Sequence, residues 1–413
     1  MLRILFSVSL VTSIQLFLNV DASLAAEITW AGNSEISFRS YIKSDTRGRG
    51  ESTRKWRGEL SAEGVLSDTQ SENISFAGRV FAETDSADPD ANILAIGELH
   101  LKWADRDTET IIGYDTLSWN VVETVSPVDF INQRDLTSPN RNPGKLGQPL
   151  LGRKHYFDQS TFEVSYLPYF IMPRLAGDGA RDGSGLDVDE SEVRFSHALG
   201  KWLPNFGALF DFSEEDTKIG VVYGFVYGRN PGFLTRFSAD GSVSLVPVFR
   251  AGHRFGGYVS QRLDTRGEST VKLEAAYVTD DTRIDGSSGD LVSTTFGFEQ
   301  VLDPFVGGGV SITGIVEFAY DTRGENAPTP FARDLFVGVS ADANDVEGSR
   351  FEAFIITDVK SGEFIFDASA SRRVSDEVRL GVAARVFSNT SNDSRLRAVR
   401  DADSVSVFAS YHF

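Results

Sequence analysis

The chain has 413 residues, a formal net charge of −19 and no cysteine. The lack of cysteine excludes disulfides, thiolate metal sites and a cysteine nucleophile, and the acidic charge argues against nucleic acid as a partner because a polyanion would be repelled. A hydrophobic content of 41% is too low for a helical membrane protein, whereas 31 Phe and 38 Gly suit many short strands joined by turns.

The N-terminus has the pattern of an export signal. Arg3 supplies a positive charge, residues 4–20 form an apolar run, and residues 23–25 (Ser-Leu-Ala) match a cleavage site. We predict that residues 1–25 are removed and that residues 26–413 form the mature protein. A transmembrane anchor is the alternative, because about 17 residues is the lower limit of a spanning helix, but polar residues within the run favour cleavage. The mature part has no apolar run of helix-spanning length, so in a membrane it must form a closed barrel.

Along the rest of the chain, apolar and polar residues alternate with a period of two. In residues 56–64, Trp56 and Leu60 share one face of an extended segment, while Arg57 and Glu59 share the other. The charged faces of successive segments are expected to form a wet inner wall with cross-strand ion pairs. The residues predicted for this wall are Arg57, Glu59, Glu63, Arg79, Glu98, Lys102, Lys272, Glu274, Glu317, Arg379 and Arg385.

A soluble two-sheet sandwich would show the same alternation with its apolar side inward, so other features must decide. The segments are about 9 to 14 residues long, enough for a tilted strand to cross a bilayer. Long polar connections such as residues 280–290 and 388–401 alternate with tight turns such as residues 264–268 and 373–376. Aromatic residues near strand ends fit an interfacial girdle, namely Tyr227, Tyr277, Tyr320 and Tyr411. We therefore predict an all-β fold, a single transmembrane antiparallel β-barrel.

The predicted number of strands is 16 or 18. Five strands precede residue 115 and about nine follow residue 250, and an even total requires two or four more between residues 157 and 250. Residues 176–190 are rich in Gly and Asp, as in a long external loop, although the simplest strand count places them at the opposite end of the barrel.

Residues 115–154 interrupt the alternation. They carry four prolines and mixed charge, and an irregular segment of this length inside a compact protein is usually functional. The segment follows the fifth strand on the long-loop side, so we predict that it folds into the lumen and narrows it. The charged residues expected at this constriction are Asp129, Arg134, Asp135, Arg141 and Lys145. A surface flap over the barrel mouth is the alternative.

The last segment, residues 404–413, places Val405, Val407 and Tyr411 on one face and ends on Phe413. A terminal aromatic of this kind resembles the last strand of Gram-negative outer-membrane β-barrels. The resemblance implies that the barrel-assembly machinery recognises Phe413 and that lipid and lipopolysaccharide surround the protein.

A second resemblance concerns the irregular segment. Residues 111–114 (Ile-Ile-Gly-Tyr), residues 118–119 (Ser-Trp) and residues 126–136 resemble a motif of Gram-negative outer-membrane channel proteins distantly similar to alginate-export-type porins. In that motif a strand ends near Trp-Gly before a lumenal segment rich in Asn, Pro and Asp, whereas here Asn120 stands in place of Gly. Residues 344–345 and 372–373 extend the resemblance over most of the mature chain. It implies transport across the outer membrane without specifying a solute.

Enzymatic signatures are missing from the sequence. The five histidines have no ligand spacing and no Gly-x-Ser-x-Gly or Walker motif occurs, so we predict no catalysis, no metal site and no cofactor. An outer-membrane phospholipase would need Ser beside a histidine such as His155 or His253. Asp85, Asp88 and Asp90 have ligands suited to Ca²⁺, but a solvated acidic loop is the preferred interpretation.

The sequence thus favours a passive outer-membrane channel that admits or exports a small solute. Two alternatives stay open. One is a non-conducting barrel that acts as a scaffold or adhesin, and the other is a secreted soluble β-sandwich or lectin. Conductance separates the first alternative from a channel, and detergent partitioning separates the second.

Overall fold

The computed structural model describes residues 28–68, 72–137, 143–183, 186–265, 267–302, 309–390 and 395–413. The predicted signal peptide, residues 1–25, lies outside this part of the chain. Eighteen antiparallel strands, numbered β1 to β18 in chain order, form one sheet. Their bounds are Ile28–Tyr41, Ser52–Asp68, Glu72–Asp85, Ile93–Asp105, Thr108–Asp115, Gln148–Tyr156, Ser160–Leu167, Asn205–Glu214, Thr217–Tyr227, Ala251–Leu263, Ser269–Thr282, Ser288–Val301, Ser311–Asp321, Arg333–Asp342, Arg350–Asp358, Phe364–Arg373, Val378–Ser388 and Ser404–His412.

The sheet closes on itself through β1 and β18. These strands pair from Asn33 with His412 to Tyr41 with Ser404, and Gly32 and Phe413 exchange two backbone hydrogen bonds of 2.9 and 3.0 Å. A Cβ atom at Gly32 would lie 2.3 Å from the Phe413 ring, so glycine leaves room for the terminal aromatic. Closure satisfies the edges of both strands. The predicted barrel is confirmed, with the larger of the two strand numbers.

The outer face of the barrel is apolar, as the alternation predicts. Side chains such as Ile36, Leu99, Val221 and Phe255 are half or more exposed, and their neighbours in sequence point to the lumen. Apart from strands and turns, the described residues form only 3-10 helices of three residues each. In these parts of the chain no helix is long and apolar enough to span a membrane.

One predicted girdle residue is placed differently. Tyr277, Tyr320 and Tyr411 are exposed by more than 40%, but Tyr227 is fully buried. Its hydroxyl donates to the Gly200 carbonyl at 2.9 Å, and its ring packs against aromatic residues of the loops on either side of β8 and β9. Tyr227 therefore belongs to a small core at the barrel mouth, because residues 168–204 fold back over the end of β9.

Three long connections leave the strands at one rim of the barrel. They run from β5 to β6, from β7 to β8 and from β9 to β10, whereas residues 106–107 and 215–216 are tight turns at the other rim. Residues 176–183 and 186–190 belong to the second of these connections and therefore lie at the long-loop rim, as their composition indicates.

Three strands of the barrel, β7 to β9, lie between residues 157 and 250, where the prediction required two or four. The total is even because of one strand that was not predicted, β6, Gln148–Tyr156. It begins inside residues 115–154, the segment predicted to be irregular, so in the structure that segment ends at residue 147. The prediction missed β6 because both Leu150 and Leu151 are apolar: Leu151 is 47% exposed on the outer face, while Leu150 is buried on the inner face. Pro149, near the start of the strand, also argues against a strand, because proline cannot donate a hydrogen bond to a neighbouring strand.

Candidate functional site

Residues 116–137 and 143–147, here called the inner loop, lie inside the barrel and are held by two buried glutamates of the wall. One carboxylate oxygen of Glu274 accepts hydrogen bonds from the backbone N–H groups of Val121 and Val122 at 2.6 and 3.1 Å. The carboxylate of Glu317 accepts from the N–H groups of residues 123 and 124, both at 2.9 Å. Such charge-assisted bonds are about twice as strong as neutral ones. The predicted wall residue Glu274 therefore faces inward, where it fixes the loop.

The inner loop also has an apolar side that packs on the barrel wall. Trp119 is 1% exposed, and its ring contacts the backbone of Gly207, where a Cβ atom would lie 2.4 Å from the Trp119 ring. Phe130 packs on Gly224 in the same way. The remaining members of this core are Leu117, Val128, Ile131, Leu150, Leu167, Leu209, Val222, Val226 and Tyr258. We call the inward faces of β6 to β13 the covered wall.

Three of the predicted constriction residues meet in one cluster. The carboxylate of Asp129 contacts Arg134 at 2.6 Å and Lys145 at 2.8 Å. Lys145 also donates to the Leu117 carbonyl at 2.8 Å, and Arg134 to the Pro143 carbonyl at 2.9 Å. These side chains fold the inner loop onto itself. Arg141 lies outside the described residues.

The fourth described constriction residue, Asp135, connects the inner loop to a second inserted segment. Residues 168–183 and 186–204, here called the bridging loop, pair with the inner loop through Arg174–Leu175, which lies parallel to Asp135 and Leu136. Arg174 donates to Asp135 at 2.6 Å and contacts Glu83 of β3 at 3.1 Å. The bridging loop thus starts at β7 and reaches β3, four strands away in the sheet.

The tip of the bridging loop is fixed at the mouth. Arg181 is 2% exposed, donates to the Lys43 carbonyl at 2.7 Å and lies 4.3 Å over the Tyr41 ring. Asp182 pairs with Arg39 of β1 at 2.8 Å. These contacts fasten the bridging loop across part of the opening.

The inward faces of β1 to β4 form what we call the charged wall. Arg57 contacts Glu83 at 3.2 Å and Glu59 at 3.6 Å, and Arg79 lies 3.7 Å from both Glu59 and Glu98. Farther toward the short-turn rim, Lys102 lies 3.8 Å from Glu109. The side chains of Arg57, Glu59, Arg79, Glu98 and Lys102 are 22% to 39% exposed. Opposite charges alternate along this wall, as cross-strand pairing favours.

Three more predicted wall residues, Lys272, Arg379 and Arg385, also face inward. Lys272 reaches Glu299 at 2.7 Å and Glu123 of the inner loop at 3.1 Å. Arg385 pairs with Asp367 at 2.5 Å. Arg379 donates to the Gly348 carbonyl at 3.1 Å near the short-turn rim.

A cavity of about 630 Å³ lies between the inner loop, the bridging loop and the other long loops. Three arginines that the sequence reasoning missed line it. Arg254 and Arg323 both contact Asp281, at 2.9 and 3.0 Å, and Arg229 donates to the Phe130 and Ile131 carbonyls at 2.8 and 2.6 Å. Burial, the larger cause, and the positive charge of Arg254, the smaller one, lower the pKa of Arg229 to about 9. With these three side chains the mouth of the barrel is rich in arginine, although the chain as a whole is acidic.

A second concavity, of about 970 Å³, lies elsewhere on the barrel. It is lined mainly by outward apolar side chains such as Phe38, Leu380 and Val407, so it belongs to the apolar band and not to the lumen.

Sequence comparison matches the chain to no protein family and to no curated protein. Solved structures resemble it. OccK5 (OpdH) of Pseudomonas aeruginosa has 12% identity and a TM-score of 0.55, covering 94% of this chain and 98% of that one. OccD3 (OpdP) from the same organism has 8% identity and a TM-score of 0.53, covering 94% and 91%. OccK11 (OpdR), also from that organism, has 12% identity and a TM-score of 0.52, covering 94% and 96%.

These structural neighbours are Gram-negative outer-membrane porins. The likeness at such low identity concerns the fold alone, and the likeness to alginate-export-type channels stays a prediction. The chain has the fold of a porin-type barrel with eighteen strands.

Proposed function

We propose that this protein is an outer-membrane channel through which a small solute diffuses passively. The observation that carries the proposal is a closed barrel with an apolar outer face, a charged inner wall on β1 to β4, and a loop bonded inside the lumen. An apolar belt suits lipid tails, and a charged wall suits a water-filled path. The structural likeness to porins also supports a channel.

The proposal includes its surroundings. Lipid and lipopolysaccharide contact the outer face, the assembly machinery binds the terminal strand through Phe413, and a signal ending at residue 25 directs export. Mass spectrometry of the mature N-terminus tests cleavage after residue 25, and fractionation of the cell envelope tests the location in the outer membrane.

Planar-bilayer recording tests the channel itself. The purified full chain is expected to give discrete conductance steps. Arg134→Ala with Lys145→Ala is expected to change ion selectivity, since both charges belong to the constriction that we propose for Asp129, Arg134, Asp135, Arg141 and Lys145. Unchanged conductance and selectivity would assign the solute path to the charged wall instead.

A non-conducting scaffold is the second candidate, and one observation favours it. The bridging loop is fixed across the mouth by Arg181 and Asp182, which narrows any water path. A barrel that gives no conductance steps, either intact or after Arg181→Ala, would support the scaffold and contradict the channel.

A further inference from the structure

A histidine and two carboxylates meet on the charged wall, at the root of the inner loop. The Nδ1 atom of His100 lies 3.5 Å from Glu98 Oε1 and 3.6 Å from Asp115 Oδ2, and one ligand atom from each residue lies within 4.8 Å of the others. His100 and Glu98 belong to β4, and Asp115 is the last residue of β5.

The end of the β4–β5 ladder brings two like charges together. Leu99 and Tyr114 form its last pair, and Glu98 and Asp115 are the next residues of the two strands, with one carboxylate oxygen of each within 4.8 Å of the other. Like charges this close on neighbouring strands are destabilising. A cation between the two carboxylates removes this repulsion.

The imidazole is an independent indication of a ligand. The His100 side chain is 8% exposed, and its Nδ1 atom is buried without a hydrogen-bond partner. Separations of 3.5 and 3.6 Å are too long for a good hydrogen bond. A buried polar atom without a partner requires an explanation, and a bound ion is one of the few that apply.

The distances suit a metal ion. Bonds of about 2.0–2.1 Å to nitrogen and oxygen set neighbouring ligands of a tetrahedral ion about 3.3–3.4 Å apart. The two separations from His100 differ from this by a few tenths of an ångström.

The second oxygen of each carboxylate is already oriented. Asp115 Oδ1 accepts the Thr116 N–H at 2.7 Å, and Glu98 Oε2 lies 3.7 Å from the Arg79 guanidinium. Outer contacts of this kind hold metal ligands in position. Side chains of Glu98 and Asp115 stay 27% and 18% exposed, which leaves a path for the ion and for a water ligand.

We propose that Glu98, His100 and Asp115 bind a divalent transition-metal ion of the Zn²⁺ class. One nitrogen with two carboxylates favours such an ion over Ca²⁺ or Mg²⁺, which prefer oxygen ligands alone. Because Asp115 directly precedes the inner loop, the ion ties the root of that loop to β4. The site is independent of whether the barrel conducts.

Calorimetric titration of Zn²⁺ into the full chain in detergent, after removal of metals with a chelator, tests the proposal. One site is expected in the wild-type protein, with binding weakened by about tenfold or more in His100→Gln, Glu98→Gln and Asp115→Asn. His253→Gln is the matched control, because His253 lies against Tyr223 at 3.0 Å, away from the cluster. It should bind Zn²⁺ like the wild type.

X-ray absorption of the Zn²⁺ form separates this site from adventitious binding to other acidic groups. Imidazole scattering is expected in the wild type and in His253→Gln, and its loss is expected in His100→Gln. Circular dichroism confirms that each variant is folded. Equal affinity and an unchanged spectrum in His100→Gln would overturn the proposal, as would the lack of binding up to about millimolar Zn²⁺.

Discussion

The two sides of the lumen differ in what faces their strands. On the covered wall, apolar residues and two buried glutamates contact the inner loop, and Glu274 and Glu317 are 0% and 1% exposed. On the charged wall, residues such as Arg57 and Glu59 keep part of their surface exposed. An inward side chain is therefore buried against the inner loop on the covered wall, whereas it stays in contact with water on the charged wall.

The inside of this barrel is therefore not one environment. Where the inner loop covers the wall, inward residues follow the rules of a protein core, with close packing and satisfied polar groups. On the charged wall, away from the contacts of the bridging loop with Glu83 and Arg39, opposite charges alternate in partial contact with water. Experiments that remove the cover from one wall sharpen this contrast.

The largest effect is expected from Trp119→Ala. The side chain is almost fully buried between the inner loop and Gly207, and truncation of a buried aromatic costs about 3–5 kcal/mol. We expect the inner loop to detach from the covered wall, so that proteases cleave it and conductance rises while the barrel stays closed. Trp103→Ala is the control, since Trp103 is 52% exposed on the outer face. Equal protease resistance in both variants would contradict this account.

A smaller effect is expected when Glu274→Gln and Glu317→Gln are combined. Each carboxylate accepts two backbone N–H bonds, and hydrogen bonds to charged groups contribute about 1.5–3 kcal/mol. The amides keep the shape but weaken the bonds, so hydrogen exchange at residues 121–124 should accelerate.

The control for the paired glutamates lies on the charged wall. Glu59→Gln alters contacts of 3.6 and 3.7 Å only, so exchange at residues 121–124 should match that of the wild type. If Glu59→Gln accelerates it as much as the double variant does, the glutamates are not specific anchors of the inner loop.

The smallest effect is expected from pH, through the loop after β1. The hydrogen bond from the Arg49 side chain to Asp45, 2.9 Å long, lowers the pKa of Asp45 to about 2, and Arg49 also donates to the bridging loop at Ala180. A carboxylate with a lowered pKa stabilises the fold above its unfolded pKa of about 3.9, and this contribution is lost as the pH falls toward 2. Protection of the bridging loop from acid-active proteases should therefore decline between about pH 4 and pH 2.

Two variants check the cause of this pH dependence. Asp45→Asn removes the carboxylate, so the bridging loop should be weakly protected already at about pH 5 and should change less on acidification. Asp376 lies in a turn at the opposite rim, so the bridging loop of the Asp376→Asn variant should respond to pH as in the wild type. A full acid response in Asp45→Asn would assign the effect to other groups.

Much of the fold follows from local pattern. The alternation in residues 56–64 or 378–386 predicts which side chains meet lipid and which face the lumen, and the inward placement of Arg57, Lys272 and Arg385 agrees with it. The position of the irregular segment after the fifth strand predicts a loop inside the lumen. The charged wall also carries the charged inward residues that the alternation predicts, such as Arg57 and Glu59.

What the pattern could not supply is contact between distant parts of the chain. Alternation fails at β6 because the inner loop makes the inward face apolar at Leu150, and Tyr227 is buried because the bridging loop folds over it. No histidine has a metal-ligand spacing along the chain, yet the pairing of β4 with β5 gathers Glu98, His100 and Asp115.

Local pattern in the sequence favours a barrel over other folds, since a strand period of two and the length of each strand are properties of single segments. Which wall is covered, how the bridging loop crosses the mouth and where His100 meets two carboxylates follow only from the three-dimensional arrangement. These features depend on strand register and on loops that return to strands far away in the chain, and neither leaves a local periodic signal.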